Sequence, residues 1–356
     1  MMGPYIKNDF YREKKIMILG HTGFVGSWLT KILLTLRAQI AGYSLDPPTN
    51  PNIYSILNIK ERILDIRGNI LTRESLERAI KNSQPEIIFH FAAQPIALES
   101  FKYLVETLKT NIIGTANVLN SIRRLDSVEV ALIMTSDKVY HNNKWPSLYR
   151  EINPLGGREP YGARKSCKDL VVNSFRESFF KPLGVRISTV RAGNTIGGGD
   201  WGKYRLITDI VKRIDRGKTI KIRNPESIKP QQYILDIIDG MLLLTKKSYN
   251  DEKFSGDWNF SPDNSRIYTV KEIVNKFIGT LEGKFEFEKR WARMKSHLLS
   301  LDFTKARDLL GWYPTFDLDR AITSTVEWYK AYYLKSNSIT DLTDKMIKSY
   351  FERVVQ

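Results

Sequence analysis

A chain of 356 residues with 42% hydrophobic and 11% aromatic side chains can bury one large domain, or a nucleotide-binding domain with a smaller appendage. Its formal charge of +16 is dispersed, 55 Lys and Arg interleaving with 39 Asp and Glu; without a long basic run it reads as solvated surface plus a diphosphate pocket, not a nucleic-acid binder. Cys167 is the one cysteine, the four histidines lack zinc spacing, and no apolar run spans a bilayer or forms a signal core, so the expectation is a metal-free, disulfide-free, cytoplasmic protein with no membrane segment.

Along the chain, short buried runs alternate with longer amphipathic stretches. Lys15–Leu19 predicts a strand, Gly26–Leu36 a helix, Gln39–Leu45 a strand and Arg73–Ser83 a helix. Strand Glu86–His90, helix Leu108–Arg124, strand Val130–Met134, helix Tyr161–Phe180 and strand Val185–Val190 follow. This alternation implies an α/β fold, a Rossmann-type doubly wound parallel sheet. The expected division is a nucleotide-binding domain over 15–190 to which later segments return, a smaller discontinuous substrate-binding region over 191–334, and a helical tail over 335–356.

Gly20-His21-Thr22-Gly23-Phe24-Val25-Gly26 joins the first strand to the first helix. Glycines there allow a tight turn and let a dinucleotide pyrophosphate reach the helix N-terminus, where free amides and the helix dipole favour negative charge. Asp46, twenty residues beyond Gly26, either accepts from the adenosine ribose hydroxyls, which favours NAD over NADP, or is a turn aspartate before Pro47-Pro48. Asp65 and Ile66 either clamp the adenine or end a strand.

The spacing Gly-x-x-Gly-x-x-Gly, with Tyr161-x-x-x-Lys165, resembles the extended short-chain dehydrogenase/reductase family. Phe91-Ala92-Ala93-Gln94-Pro95, Thr135-Ser136-Asp137-Lys138, Leu155-Gly156-Gly157-Arg158-Glu159-Pro160-Tyr161 and Gly197-Gly198-Gly199-Asp200-Trp201 extend the likeness to the CDP-glucose 4,6-dehydratase family, over nearly the whole chain. The resemblance implies an NAD-dependent nucleotide-sugar dehydratase of deoxysugar and polysaccharide biosynthesis. It also implies Ala92 and Ala93 beside the cofactor, Gln94 beside the substrate, and a homodimer or dimer of dimers built on the helices 108–124 and 161–180.

Tyr161 and Lys165 lie one helical turn apart, so the ammonium is expected to hold the nicotinamide ribose and lower the phenol's pKa, making Tyr161 a base on a sugar hydroxyl with Ser136 orienting the proton. Oxidation at carbon 4 acidifies the hydrogen at carbon 5, and elimination then needs a base at carbon 5 and an acid at the carbon 6 hydroxyl. Lys138 is assigned as the base, neutral through burial or nearness to Lys165, and Asp137 as the acid. Asn194, Arg205 and Arg223 are each a diphosphate or nucleotide contact or a surface group. Thr110 and Asn111 either order water or pack a helix. Lys229-Pro230-Gln231-Gln232-Tyr233 departs from the Arg-Pro-Trp-Gln-His-like stretch of the resembling family, which leaves the nucleotide open. A nucleotide-sugar 4-epimerase shares the tyrosine, lysine and cofactor but has no use for Asp137 and Lys138; a non-catalytic NAD-binding protein has no use for Ser136, Tyr161 and Lys165 together.

Overall fold

Alternate residues of Lys15–Leu19 (β1) point to opposite sides, and both sides are apolar: Ile16 and Ile18 join one core, Met17 and Leu19 another. A strand with two buried faces belongs inside a parallel sheet covered by helices on each side. The computed structural model describes residues 9–96, 101–142, 147–157, 159–215, 219–222, 224–263, 268–280, 285–287, 300–335 and 338–354.

After β1 come α1 (Phe24–Thr35), β2 (Gln39–Ser44), β3 (Leu64–Arg67), α2 (Arg73–Ser83), β4 (Ile87–His90), α3 (Gly114–Ile122), β5 (Val130–Met134), α4 (Pro160–Phe175) and β6 (Arg186–Ala192). Beyond them lie β7 (Asn194–Ile196), α5 (Leu206–Asp215), β8 (Ile220–Ile222), β9 (Gln231–Tyr233), α6 (Ile234–Asn250), β10 (Gly256–Phe260), α7 (Val270–Thr280), β11 (Phe285–Phe287), α8 (Leu318–Leu334) and α9 (Ile339–Arg353). Seven strands form one parallel sheet in the order β10-β6-β5-β4-β1-β2-β3, while β7 pairs with β9 and β8 with β11.

One core sets Trp28, Leu29 and Ile32 of α1 against Ile237, Ile238 and Met241 of α6 and Trp328 of α8. The other sets Leu76 and Ile80 of α2, Val118 and Leu119 of α3 and Val172 of α4 against the opposite face. Each such side chain, taken fully from water, contributes roughly 1.5–3 kcal/mol. A buried ionic network closes the C-terminal end of the sheet: Arg191 of β6 donates to Asp169 of α4 at 2.6 and 3.0 Å and to Asp257 of β10 at 2.9 Å.

The doubly wound fold agrees with the sequence reading; its differences are local. α1 starts at Phe24, and the helix read as Leu108–Arg124 consists of a turn over Leu104–Leu108, a π-turn over Lys109–Ile113 and then α3. The helix read as Tyr161–Phe180 is α4 followed by a second π-turn, Arg176–Phe180. β3 and β10 are additional strands. The first is a four-residue edge strand exposed at both ends, and the second pairs with β6 across an intervening α6.

Candidate active site

The glycine loop is shaped by two close approaches. Gly20 has φ +95°, and a Cβ on it would stand 2.7 Å from the Ala92 amide nitrogen; a Cβ on Gly26 would stand 2.2 Å from the Gly20 carbonyl oxygen. α1 therefore starts directly against the loop, and no side chain caps it at Gly23, which leaves first-turn amides for an anion. Phe24 and Val25 form that first turn and pack on the core. Thr22 binds the loop to β2, its hydroxyl 2.7 Å from that of Ser44 and donating to the Leu45 carbonyl at 3.0 Å. Ala92 holds the neighbouring crossover, its amide donating to Leu19 at 2.8 Å, with Ala93 half-buried beside it. This cradle fits a dinucleotide.

The carboxylate of Asp65 is already engaged, 2.7 Å from His21 Nε2 and 2.9 Å from Arg67 Nη2, so it buttresses the loop from behind. Ile66 beside it packs on the second core. Asp46 is open to solvent at the end of β2, with Arg67 Nε at 3.6 Å.

β5 delivers Thr135, Ser136, Asp137 and Lys138 to the carboxyl edge of the sheet, and α4 brings Tyr161 and Lys165 to the same place. Glu159 caps α4, accepting from the Tyr161 and Gly162 amides at 2.7 and 2.9 Å, so the first turn that carries Tyr161 is pinned. The Ser136 hydroxyl donates to Asp137 Oδ1 at 2.7 Å and lies within hydrogen-bonding reach of the Tyr161 phenol. Lys138 Nζ stands 3.7 Å from Asp137 Oδ2, with the lysine side chain 41% and the aspartate 10% exposed. Lys165 Nζ donates to the Thr135 carbonyl at 3.2 Å, and the Thr135 hydroxyl donates to Asp169.

Two charge states differ from the sequence expectation. Burial, then the Asp137 carboxylate, holds the Tyr161 phenol above its ordinary pKa; Arg164, Lys138 and Ser136 oppose this. Burial, then Arg164, brings Lys165 down to about 7. Lys138 is not kept neutral by burial or by Lys165: Asp137 outweighs burial and raises it above the usual lysine range.

Arg164, one residue before Lys165, received no role from the sequence. It is fully buried, its guanidinium 4.3 Å from the centre of the Tyr161 ring and donating to the Gln94 carbonyl and side-chain oxygens. Gln94 is thus held between Arg164 and the Ile96 amide, which donates to its Oε1 at 3.0 Å. Arg205 pairs with Asp200 and is close enough to Tyr161 to feel its charge. Asn194 is exposed and donates to the Pro230 carbonyl at 3.2 Å, clasping β7 to the segment that carries Lys229. Lys229 is an exposed residue, but desolvation of its ammonium, then Lys138, holds it below its usual range, so the two ammonium groups stand near enough to repel. Asn111 is buried in the π-turn, its amide donating to Thr107 at 2.8 Å and its Oδ1 unpartnered; Thr110 donates to Glu106. Arg223 lies outside the described residues. Among the described residues no group of three His, Cys, Asp or Glu side chains is placed to hold a metal, and no helix is long and apolar enough to cross a membrane.

Comparison with known proteins agrees with this geometry. Residues 17–325 match the GDP-mannose 4,6 dehydratase family. The chain is 38% identical over 339 residues to CDP-glucose 4,6-dehydratase of Salmonella typhimurium, covering 92% of this chain and 93% of that protein. Among solved structures it superposes on dTDP-glucose 4,6-dehydratase from Streptomyces venezuelae with NAD bound (TM-score 0.76, 20% identity, 91% and 99% of the two chains). It superposes equally well on UDP-glucose 4-epimerase of Thermotoga maritima (0.77, 21%, 89% and 99%), so those likenesses speak for the fold. The loop cradle, the Ser136–Asp137–Lys138–Tyr161 cluster and these matches together make the chain a member of the GDP-mannose 4,6 dehydratase family of NAD-dependent nucleotide-sugar dehydratases.

Proposed function

We propose that the chain dehydrates CDP-glucose to CDP-4-keto-6-deoxyglucose, and that the Asp137–Lys138 pair, set beside Ser136 and Tyr161, carries this reading. The loop Gly20–Gly26, Ala92, Ala93, Asp46 and Lys165 would hold NAD, which when bound supplies a hydride acceptor for carbon 4 and a donor for carbon 6.

The proton path follows from the contacts. Tyr161 takes the proton of the 4-hydroxyl while its own passes through Ser136 to Asp137, which becomes the acid. Once Asp137 is neutral, the largest attraction that holds Lys138 as an ammonium is gone, and burial, which favours the amine, is set against only the weaker pull of Tyr161 and Glu159. Lys138 gives its proton to solvent through its open face and removes the carbon 5 proton; Asp137 protonates the leaving 6-hydroxyl, which departs as water. Lys138 then returns its proton to carbon 5. Tyr161 ends as phenol and Asp137 as carboxylate; Lys138, left as the amine beside a carboxylate once more, takes back from solvent the proton it released, and the proton lost from the 4-hydroxyl leaves in the water.

Arg205, Asn194 and Gln94 stand near enough to this cluster to orient the diphosphate and sugar. Leu104, Val105, Ile113, Leu170 and Phe179 leave apolar surface across α4, the π-turn that follows it and the helical segment before α3, which supports pairing of two chains there. A cytoplasmic role in supplying deoxysugars for polysaccharide completes the reading. Incubation with NAD and, separately, CDP-glucose, dTDP-glucose, GDP-mannose and UDP-glucose, followed by mass spectrometry, tests it. Loss of one water from CDP-glucose is expected; loss from another sugar nucleotide would reassign the base, and an unchanged mass with inverted sugar stereochemistry would replace dehydration by epimerisation.

A further inference from the structure

A cavity of about 520 Å³ lies between α6 from Asp239 onward, the segment Leu310–Thr315 and the end of α9. It shares no residue with the glycine loop or with Ser136, Asp137, Lys138 and Tyr161. Its volume falls in the range of small-molecule sites.

Three features give it a chemical character. Asp239 lines it while only 2% exposed, and its Oδ1 has no hydrogen-bond partner, a costly arrangement for a buried polar atom. Burial raises this carboxyl well above the usual range, opposed by a hydrogen bond from the Trp312 side chain; the shift favours the neutral acid, a group that can both donate and accept. Phe254, Trp312 and Tyr313 supply flat walls. Lys246, Lys247 and Arg353 stand at the rim, where burial and then Lys247 lower the Lys246 ammonium. The acid among them, Asp251, is paired with Lys253 at 2.7 Å.

The walls are also pre-set. Asp236 of α6 accepts from the Thr315 amide at 2.8 Å and the Tyr350 hydroxyl at 2.6 Å, and Trp312 Nε1 donates to the Asp236 carbonyl at 3.2 Å. These bonds tie all three bordering elements together, so a ligand would meet a formed site.

We propose that this cavity is a second binding site, for a nucleoside phosphate whose base edge meets Asp239 between the aromatic walls and whose phosphate meets Lys246, Lys247 and Arg353. A base edge carries a donor beside an acceptor, its ring matches flat walls, and an anion relieves the repulsion between adjacent cations. The helix that bears Asp239 begins immediately after Lys229–Tyr233, so one rigid element runs from the catalytic cleft to this cavity. The assignment does not depend on which sugar nucleotide the catalytic cluster consumes.

Calorimetric titration of the full-length protein with CMP, cytidine and ribose 5-phosphate tests it, with substitutions at the rim separating this cavity from any binding in the catalytic cleft. Expected is a CMP site about tenfold tighter for CMP than for cytidine or ribose 5-phosphate. Lys246→Ala with Lys247→Ala should bring CMP down to the cytidine level, and Asp239→Leu should bring it down to the ribose 5-phosphate level. The paired rim substitution is on the surface and keeps the test readable if Asp239→Leu fails to fold. CMP binding untouched by the rim substitutions, or no tighter than that of cytidine, overturns the assignment. Neither result bears on whether the protein dehydrates a sugar nucleotide.

Discussion

Asp137→Asn separates the two jobs assigned to one carboxylate. The change is nearly isosteric, and the new amide oxygen can still accept from Ser136, so the local geometry survives while the negative charge does not. That charge is 3.7 Å from Lys138 Nζ. Coulomb's law gives roughly 4–5 kcal/mol at this separation for an effective dielectric near 20, and about 1 kcal/mol in bulk water. With Lys138 41% exposed, the lower end applies, about 1–2 kcal/mol. Without it, burial dominates and the Lys138 pKa moves down. A ¹³C-methylated protein followed by NMR against pH reads this directly, Lys138→Arg identifying the resonance. Removing the carboxylate should also cut dehydration about 10²–10⁴-fold, and because Asp137 accepts the proton that Tyr161 passes on through Ser136, carbon 4 oxidation should slow with it. A Lys138 resonance that titrates unchanged or higher refutes the electrostatic argument. Near-normal loss of water refutes the acid role.

Lys138→Met should let carbon 4 oxidation proceed but stop exchange of the carbon 5 hydrogen with deuterated solvent, measured by mass spectrometry of recovered sugar. In Gly26→Ala the new Cβ meets the Gly20 carbonyl oxygen at 2.2 Å, so the loop must move; NAD affinity should fall at least about tenfold by calorimetry, and because the obstructing atoms are backbone the NAD-free protein should also lose about 1–3 kcal/mol of stability. Arg191→Met leaves Asp169 buried and deprived of its cation, and should cost about 3–5 kcal/mol in denaturant unfolding. Burial raises Asp236 from 3.8 to about 7, so the native state holds a proton that the unfolded chain releases, and stability should fall as pH rises from about 4 to about 7. Asp236→Asn should flatten that slope, a difference on the order of 3–5 kcal/mol by pH 8, seen in denaturation midpoints across pH.

The sequence shows β1, α2 and β5 to the residue, because each is bounded by a change of periodicity that its own residues create. β3 is short and half-exposed, so its pattern is weak, and β10 is a strand only because β6 offers it an edge. The π-turns leave no local mark, since their extra residue is absorbed within a continuous helix. At the site, the spacing of Ser136 and Tyr161 was legible because the sheet edge and helix start that bring them together were legible. Arg164 and Lys229 were not. A guanidinium set against the Tyr161 ring, or an ammonium crowded by another from a distant loop, is a property of packing. The reversed charge states of Tyr161 and Lys138 have the same origin, because each depends on how burial competes with Asp137.

The pairing of β6 with β10 also concerns how the chain comes to exist. β6 is finished at Ala192, but its open edge is covered only when Gly256–Phe260 arrives, and the Ile237, Ile238 and Met241 side chains that seal the α1 face arrive with α6 between them. During synthesis the growing chain therefore carries an uncovered strand and half a core through more than sixty further residues. A ribosome paused or a gene cut near residue 190 would release an aggregation-prone fragment, and splitting this protein into separately expressed halves calls for a break elsewhere.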